Sequence, residues 1–538
     1  MRRVLMCLCL ILLPLAAAAQ SFVVTALSPA AREQMDLANA RSRESDWAGA
    51  LVHAERALAD ALVSPGIAHG ATVEVALYYG ALLGNVGRDA EALEHVERLF
   101  AEVQRHFLPF SPFYTSVEIE YANRLAFAGR TAEALPLALG VTRRVGGMMG
   151  AETATTALYL RDAATILRRM GYLTEATEAY RRIVPIFDRD GSPEAARLAA
   201  GVMFLIGDNL NRMREFEGAL EAFRDADRRH TDAYGPRHPE TLSTRLARAR
   251  AAFDVDQRPE VAVLVEANLP VSSEVYGPDS VEYASWLRMQ ARSVQLASDG
   301  GPEAALPIMA RAVEITAARL PPTHRVLAET RRDYAGLLSF TKRFDEAWAQ
   351  YVASEGVLSP DRKFMLDLLE FRRERGSVTE ASFAVEVLPH LHRTGYGAAR
   401  GAVREQVLRR LIRDPGVADL YRRTTDMVEE RQRLEEEVAE LATRPLADAD
   451  PAREAVVRTR LATLAETIRT QMAEVHAREP AFAELSGAVD LDLAALQALL
   501  APDEAVVLVD HQRHDQEWSV AVGITRDRAI ARAFWVPT

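Results

Sequence analysis

The sequence predicts a mainly α chain in three successive parts: a stack of helix pairs, a charged helical hairpin of coiled-coil character, and a short partial α/β segment with about three strands. Three observations carry this prediction. A Glu-Ala-Leu phrase returns at a fixed spacing through residues 21–355, two heptad seams separated by a proline-marked break follow it, and three valine-rich runs lie near the C-terminus.

The repeat is clearest at Gly129-Arg130-Thr131-Ala132-Glu133-Ala134-Leu135. Aligned on its alanine, the units fall at Ala50, Ala92, Ala134, Ala176, Ala219, Ala262, Ala305 and Ala347, with steps of 42, 42, 42, 43, 43, 43 and 42. A constant period in this range is the signature of a stacked repeat protein. Each unit has two apolar stretches at helical spacing, for example Val73, Val75, Ala76, Tyr79 and Leu82, then Ala92, Val96, Leu99 and Phe100, which predicts a helix pair. Glycine and proline clusters separate the units at Ser64 to Gly66, Pro109 to Pro112, Gly146 to Gly150, Asp190 to Pro193, Gly235-Pro236, Gly277-Pro278 and Pro321-Pro322. Glycine ends a helix by accepting positive φ, and proline cannot continue one. Within the units the turn is marked by Gly87, Gly129, Gly171 and Gly300, with Ser45, Arg214, Gln257 and Lys342 in their place elsewhere. The recurring alanine fits a crossing too close for a large side chain, with tyrosines such as Tyr121, Tyr180 and Tyr334 filling the space beside it.

Composition narrows the function. With 49% hydrophobic and 26% charged residues the chain has the makings of folded domains, and 538 residues exceed one compact core. Its formal charge is −12, or −14 once Arg2 and Arg3 are removed, so no net basic field is available for a general nucleic-acid binder. Of 64 basic residues only Lys342 and Lys363 are lysines, a bias that fits a GC-rich genome. Met1-Arg2-Arg3, the apolar run Val4 to Leu15 and the small residues Ala16 to Ala19 have the order of a secretory signal, too short in its apolar part to span a bilayer. Residues 1–20 are therefore expected to be a cleaved signal peptide, leaving an exported, periplasmic or secreted chain without a membrane anchor. Cys7 and Cys9 lie inside the leader, so the mature chain would form no disulfide and offer no thiol.

The repeat resembles the tetratricopeptide repeat, in the longer variety of about 42 residues found in kinesin light chains and many bacterial signalling proteins. The residues that carry it are Gly129 to Leu135, Gly171 to Ala176, Phe344 to Ala347 and the opening Tyr234-Gly235-Pro236-Arg237-His238-Pro239-Glu240-Thr241-Leu242. What the resemblance implies is a right-handed α-α superhelix of about eight units, whose first helices line a concave face that holds an extended peptide or a partner's surface. Asn123 occupies a place where kinesin-type arrays use groove asparagines; its counterparts Ala81, Thr165, Asp208, Ala251, Val294 and Gly336 depart from that pattern. First helices of the later units carry Arg245, Arg248, Arg288, Arg292 and Arg331 along with Arg250 and Arg332, several sharing a helix face. They make either a basic groove for an acidic peptide or the solvated surface of an arginine-rich protein.

After Ser354 the register is lost. Phe364 to Arg375, Glu380 to His392 and Ala402 to Arg413 read as shorter helices within a spacer spanning residues 356–480. Leu420, Met427, Leu434 and Leu441 then recur every seven residues, and Val457, Leu461, Leu464, Ile468, Met472 and Val475 form a second seam beyond the break at Pro445 to Pro451. The short polar break predicts an antiparallel hairpin paired within the chain, acting as spacer or lever. His390 and His392 have no third ligand at suitable spacing and read as surface histidines.

In residues 481–538, Leu491 to Leu500 reads as a short helix, and Ala505 to Val509, Trp518 to Ile524 and Ala529 to Val536 read as strands. Three such strands alone would leave an apolar face and an open edge. Leu496 to Val507 followed by Trp518 to Asp527 resembles the opening of a CHAT domain, the caspase-like module that follows tetratricopeptide arrays in bacteria. What this resemblance implies, in a complete domain, is a cysteine peptidase with a His/Cys dyad or a descendant that has lost catalysis. The family's catalytic segments would lie beyond Thr538, and His511 and His514 stand where the family places neither partner. No catalytic residue is assigned; nor does the sequence hold a phosphate loop, a His-Glu-x-x-His, a Gly-x-Ser-x-Gly or paired cysteines, so no metal or cofactor is expected.

The expected function is thus an exported, non-catalytic scaffold that binds a protein or peptide, with Asn123, Arg245, Arg248, Arg288, Arg292 and Arg331 as candidate groove residues. The alternative is the sensor half of a truncated or split caspase-like peptidase, whose catalytic half would be a separately encoded partner. A third reading is an adaptor that self-associates through Leu420 to Val475.

Overall fold

The computed structural model describes residues 27–44, 46–109, 111–148, 153–296, 301–355, 357–358, 361–379, 382–383, 386, 412, 414–479, 493–498, 500–510 and 518–535. The expected signal peptide, Cys7, Cys9, His390, His392, His511, His514, Ser45 and Gly300 lie outside them. The chain divides into two compact units, 1–257 and 258–538.

The first unit is built of α1 (Pro29–Arg43), α2 (Trp47–Val63), α3 (Gly70–Asn85), α4 (Asp89–His106), α5 (Pro112–Phe127), α6 (Thr131–Met148), α7 (Ala154–Arg169), α8 (Leu173–Asp190), α9 (Pro193–Arg212), α10 (Phe216–Tyr234) and α11 (Pro239–Asp254). Odd-numbered helices open the pairs, and each starts on a side-chain cap. Ser28, Ser111, Thr153 and Ser192 accept from the backbone N–H three residues on, satisfying a donor that the helix leaves free. At His69 and His238 the acceptor is imidazole Nδ1, at 3.1 and 3.2 Å, which requires the neutral ring protonated at Nε2.

The opening helices end alike. A residue at positive φ is followed by one whose N–H reaches the carbonyl five positions back: Arg88 to Leu83, Arg130 to Leu125, Tyr172 to Leu167 and Glu215 to Leu210, each at 2.9 Å, and Gln257 to Ala252 at 2.8 Å. The positive φ belongs to Gly87, Gly129, Gly171, Arg214 and Asp256. This left-handed cap fixes both the direction and the rotation of the helix that follows.

The cap corrects the sequence register in one unit. Five residues past each left-handed residue stands the side chain at the crossing, and Ala92, Ala134, Ala176 and Ala219 there are fully buried. At the next turn Asp256, not Gln257, holds the positive φ (59°), and five residues on Val261 is 1% exposed while Ala262 is exposed. The counterpart of Asn123 is therefore Arg250 rather than Ala251. A second correction concerns Gly146 and Gly147, which lie inside α6 instead of ending it. Tyr180 is fully buried beside the crossing, its hydroxyl 2.9 Å from that of Thr165, as a buried phenol requires.

The second unit continues with α12 (Arg258–Tyr276), α13 (Val281–Gln295), α14 (Gly301–Arg319), α15 (Arg325–Phe340), α16 (Phe344–Val352) and α17 (Arg362–Glu374). Lys342, at φ 61°, carries the same cap between α15 and α16, with Arg343 bonded to Leu338 at 2.9 Å. α18 (Pro415–Ala442) and α19 (Pro451–Arg478) form an antiparallel hairpin. Val417 and Leu420 meet Val475 and Met472 at the open end, and Val438, Leu441 and Leu434 meet Val457 and Leu461 near the turn. Ion pairs Arg478–Asp414 (2.7 Å), Arg460–Glu430 (2.9 Å) and Arg453–Glu437 (2.7 Å) bridge its exposed sides.

The turn end of the hairpin does not project away from the helix pairs as a free spacer would. Ala439 and Ala442 pack with Val281, Leu320 and Leu327, and Leu446 covers Gly277. Arg319 bonds Glu454 at 3.1 Å, and Arg458 donates to the Arg319 carbonyl at 2.7 Å.

A short helix α20 (Leu493–Ala498) leads to β1 (Ala505–Asp510), β2 (Trp518–Thr525) and β3 (Ala529–Trp535), an antiparallel sheet in the order β1-β2-β3. Val522, Ile524 and Ala529 on one face join a core with Leu337, Tyr351, Leu366 and Leu369. Val507, paired with Gly523 on the other face, is 63% exposed. Half of the apolar sheet surface expected from the sequence is thus covered within the chain.

The corrected register gives a direct test. Ala134→Leu should overpack a crossing and cost about 1–3 kcal/mol, whereas Ala262→Leu should stay within about 0.5 kcal/mol. Urea unfolding of both variants checks this, and equal costs would restore the uncorrected register.

Candidate partner-binding face

In the first unit the opening helices approach one another in succession, α3 to α5, α5 to α7 and α7 to α9, more closely than the closing helices do. Opening helices therefore lie on the inside of the curve. Their C-terminal ends carry polar side chains that reach from one pair to the next. Arg124 of α5 bonds Glu120 at 2.6 Å and lies over the backbone of α3 at Gly84, where a Cβ would collide with the guanidinium. Asn123 accepts from Arg169 of α7, whose guanidinium also lies 3.9 Å from the Phe127 ring centre. Arg168 pairs with Asp208 and donates to Asn209 of α9 at 3.0 Å, and Asn209 donates in turn to Thr177 at 3.1 Å. Toward the N-terminal ends, the Ser116 and Tyr159 hydroxyls are 3.3 Å apart, and Glu74 of α3 is partly buried.

Burial perturbs several of these groups. It raises Glu74 to about 7 and raises Tyr159 and Asp162, the last against the opposing charge of Arg161. Burial also lowers the Arg169 pKa, with Arg124 and Arg168 adding repulsion and Glu120 opposing it.

The candidate arginines of the later units serve other contacts. Arg245 and Arg248 of α11 both grip Asp227 of α10, each at 2.8 Å, and Arg245 also donates to the Pro236 carbonyl at 3.1 Å. They fasten α11 onto the closing helix before it. Arg288 of α13 reaches Asp333 at 2.6 Å and Glu329 at 3.2 Å on α15. Burial works against its charge, and the two carboxylates outweigh it, holding its pKa above the ordinary value. Arg331 donates to the Ala353 carbonyl at 3.0 Å, capping the end of α16. Arg292 lies partly buried on α13. Of the sequence candidates in the first unit, Asn123 belongs to the inner network. Arg124, Arg168 and Arg169 were missed there. Their signal is a position, since Arg168 and Arg169 stand eight and seven residues before Ala176 and only the inward turn of the helix end brings them to Asn123 and Asp208.

Among the described residues no group of three or more histidine, cysteine, aspartate or glutamate side chains is placed to hold a metal ion. No helix among them is long and apolar enough to cross a membrane.

These features define a helical-repeat protein with a polar inner face. No family model matches the sequence, and no curated protein does. Among solved structures it is similar to tetratricopeptide-type repeats of a kinesin light chain from Podospora anserina, at 18% identity over 38% of this chain and 97% of that one, with a TM-score of 0.35. A signal transduction ATPase with a tetratricopeptide repeat sensor from Pyrococcus horikoshii is similar at 11% identity over 65% of this chain and 49% of its own, with a TM-score of 0.42. NprR, solved with its cognate peptide NprX, is similar at 13% identity over 65% of this chain and 97% of its own, with a TM-score of 0.35.

Two tests follow from the site. Asp227→Ala would leave two guanidiniums without their shared carboxylate and should cost about 3 kcal/mol in urea unfolding; a loss under about 0.5 kcal/mol would show that the clamp does not hold α11. The second concerns pH. Burial lowers His230, which bonds the Thr244 hydroxyl at 2.8 Å, to about 4, so its contribution is complete above the unfolded value near 6.5 and is lost as pH falls toward 4. Glu74, raised to about 7, has the opposite sign: stability falls as pH rises from about 4.5 to 7. Between these limits the slopes oppose. Glu74→Gln should make stability rise with pH more steeply than in the parent, and His230→Asn should make it fall, each by up to about 1 kcal/mol per pH unit. Unfolding curves at pH 5 and 6.5 decide it, and parallel pH profiles for all three proteins would refute both assignments.

Proposed function

We propose that this chain is an exported, non-catalytic tetratricopeptide-type scaffold that binds an extended peptide or a partner's surface along its opening helices. The observation that supports this most is the inner face itself, where side chains from successive pairs are held in place by bonds to the neighbouring pair. A face fixed in advance loses little conformational freedom on binding. Residues 1–20 support export by their charged, apolar and small-residue order.

Peptide-display selection against the full chain, followed by replacement on the inner face, tests the scaffold reading. Ala81 holds the repeat position of Asn123 on α3, and Ala81→Trp should weaken the selected peptides at least tenfold. Arg98→Trp, on a side chain 72% exposed on the closing helix α4, should not. Selected peptides indifferent to Ala81→Trp would overturn the reading. Export is tested by N-terminal sequencing of the chain from a secreting host; a retained Met1 would overturn it.

A second reading is favoured by the sheet. The uncovered face around Val507, with Ala505, Ala521, Gly523 and Ile530 beside it, offers a surface for further structure, as the CHAT-like opening implies. On this reading the chain is the sensor half of a caspase-like peptidase, its catalytic half supplied in continuation or by another gene. Reading the DNA past codon 538 in three frames tests it: histidine and cysteine in caspase-like context support it, and unrelated sequence removes it.

A further inference from the structure

The turn end of the hairpin formed by α18 and α19 rests on two loops of the second unit, and the helices that leave those loops are capped differently. At the start of α13, Ser280 Oγ accepts from the Tyr283 N–H at 3.1 Å. At the start of α15 the acceptor is the imidazole Nδ1 of His324, 3.2 Å from the Val326 nitrogen. The residues beside this imidazole are the ones that hold the hairpin. Thr323 donates to Glu435 of α18 at 3.0 Å, and Leu320, Val326 and Leu327 pack with Ala439 and Ala442.

A ring nitrogen that accepts carries no proton. In acid Nδ1 gains one, so it meets the Val326 N–H as a second donor and sets a positive charge at the N-terminus of α15, where the helix dipole repels it. Three carboxylates around the loop are already engaged. Glu329 of α15 pairs with Arg325 at 2.7 Å and with Arg288 of α13 at 3.2 Å, and Glu435 with Arg431 of α18 at 3.5 Å. Glu454 of α19 pairs with Arg319 at 3.1 Å and Arg458 at 2.8 Å. Burial lowers the His324 pKa, and Glu329 opposes it. The cap is therefore complete above the ordinary value of about 6.5 and is lost as pH falls through the lowered one.

The dock itself is small. Leu446 stays 58% exposed while it covers Gly277, and Arg319 Nε is buried beside it with no hydrogen bond among the described residues. The hairpin closes its own seams, Leu420 on Val475 at one end and Val438 on Val457 at the other, so its fold does not depend on the dock. We infer that His324 is a pH-sensitive latch: its protonation frees the start of α15 with Thr323, and the hairpin turn lifts off as an intact arm, baring Val281, Leu320 and Leu327. The Ser280 cap does not answer to acid, so only the α15 side of the dock titrates through its cap.

Reactivity of a thiol placed in the full chain tests this. Three reporters are introduced singly: Ala442→Cys in the dock, Val438→Cys in the hairpin's own seam, and Val456→Cys on α19, where the side chain is 60% exposed. Each is labelled with a thiol-specific reagent at pH 7.5 and 5.5, and peptide mass spectrometry gives the rates. Dividing by the rate at position 456 removes the reagent's own pH dependence. The ratio for position 442 should rise between threefold and about tenfold at pH 5.5, the ceiling being one proton taken up by an ordinary imidazole. For position 438 it should change less than twofold. His324→Ser and His324→Asn keep a cap that does not titrate, and either should hold the position 442 ratio within twofold. An unchanged ratio in the parent would overturn the latch, as would the parent's full rise persisting in the His324 variants. An equal rise at position 438 would overturn it too, since the hairpin would then be melting rather than lifting. Should one His324 variant fail to fold, the other decides.

Discussion

The left-handed cap between the two helices of a pair is the constraint on which the rest of the first unit depends. One residue at positive φ and one N–H reaching back five positions set where the second helix starts and which of its faces turns inward. The crossing side chain then falls five residues further on, and close approach there requires it to be small. Once each pair has this geometry, neighbouring pairs stack with their opening helices nearer together. The inner face and its cross-pair bonds follow from that stacking. Three units use arginine, aspartate or lysine at the strained position in place of glycine, so the packing of the pair must outweigh a local cost of roughly 1–2 kcal/mol.

In the second unit the same logic meets a different partner. The hairpin of α18 and α19 buries its own seams, and its turn end then adds Ala439, Ala442 and Leu446 to the loops that join the pairs. The sheet likewise gives one face to the core around α17. Neither element is an independent appendage, because each completes apolar surface that the pairs of this unit would otherwise expose.

Charge is used in two ways. Asp227 with Arg245 and Arg248, and Arg288 with Asp333 and Glu329, fasten one helix to another. Such pairs offer little to a ligand, since a newcomer must first break a contact already desolvated. The arginines between α5, α7 and α9 instead reach from one pair to the next, and Arg169 there meets the Asn123 amide and the Phe127 ring. That difference cannot be read from arginine spacing, which is similar in both places.

Residue order by itself determined the helix pairs, their period, the turn that joins them and the heptad seams of the hairpin, because each depends on contacts within a few turns of chain or on a side-chain period. It also placed the three strands, through their valine-rich runs. The tertiary structure alone decided three matters. Asp256 rather than Gln257 adopts the left-handed conformation, a choice between adjacent polar residues that local preference leaves open. The turn of the hairpin docks on Gly277 and Leu320, which depends on surface presented by residues more than 100 positions away. Asn123 meets Arg169 across two pairs, because partnership is set by which helix ends the stacking brings together and no one-dimensional spacing encodes it.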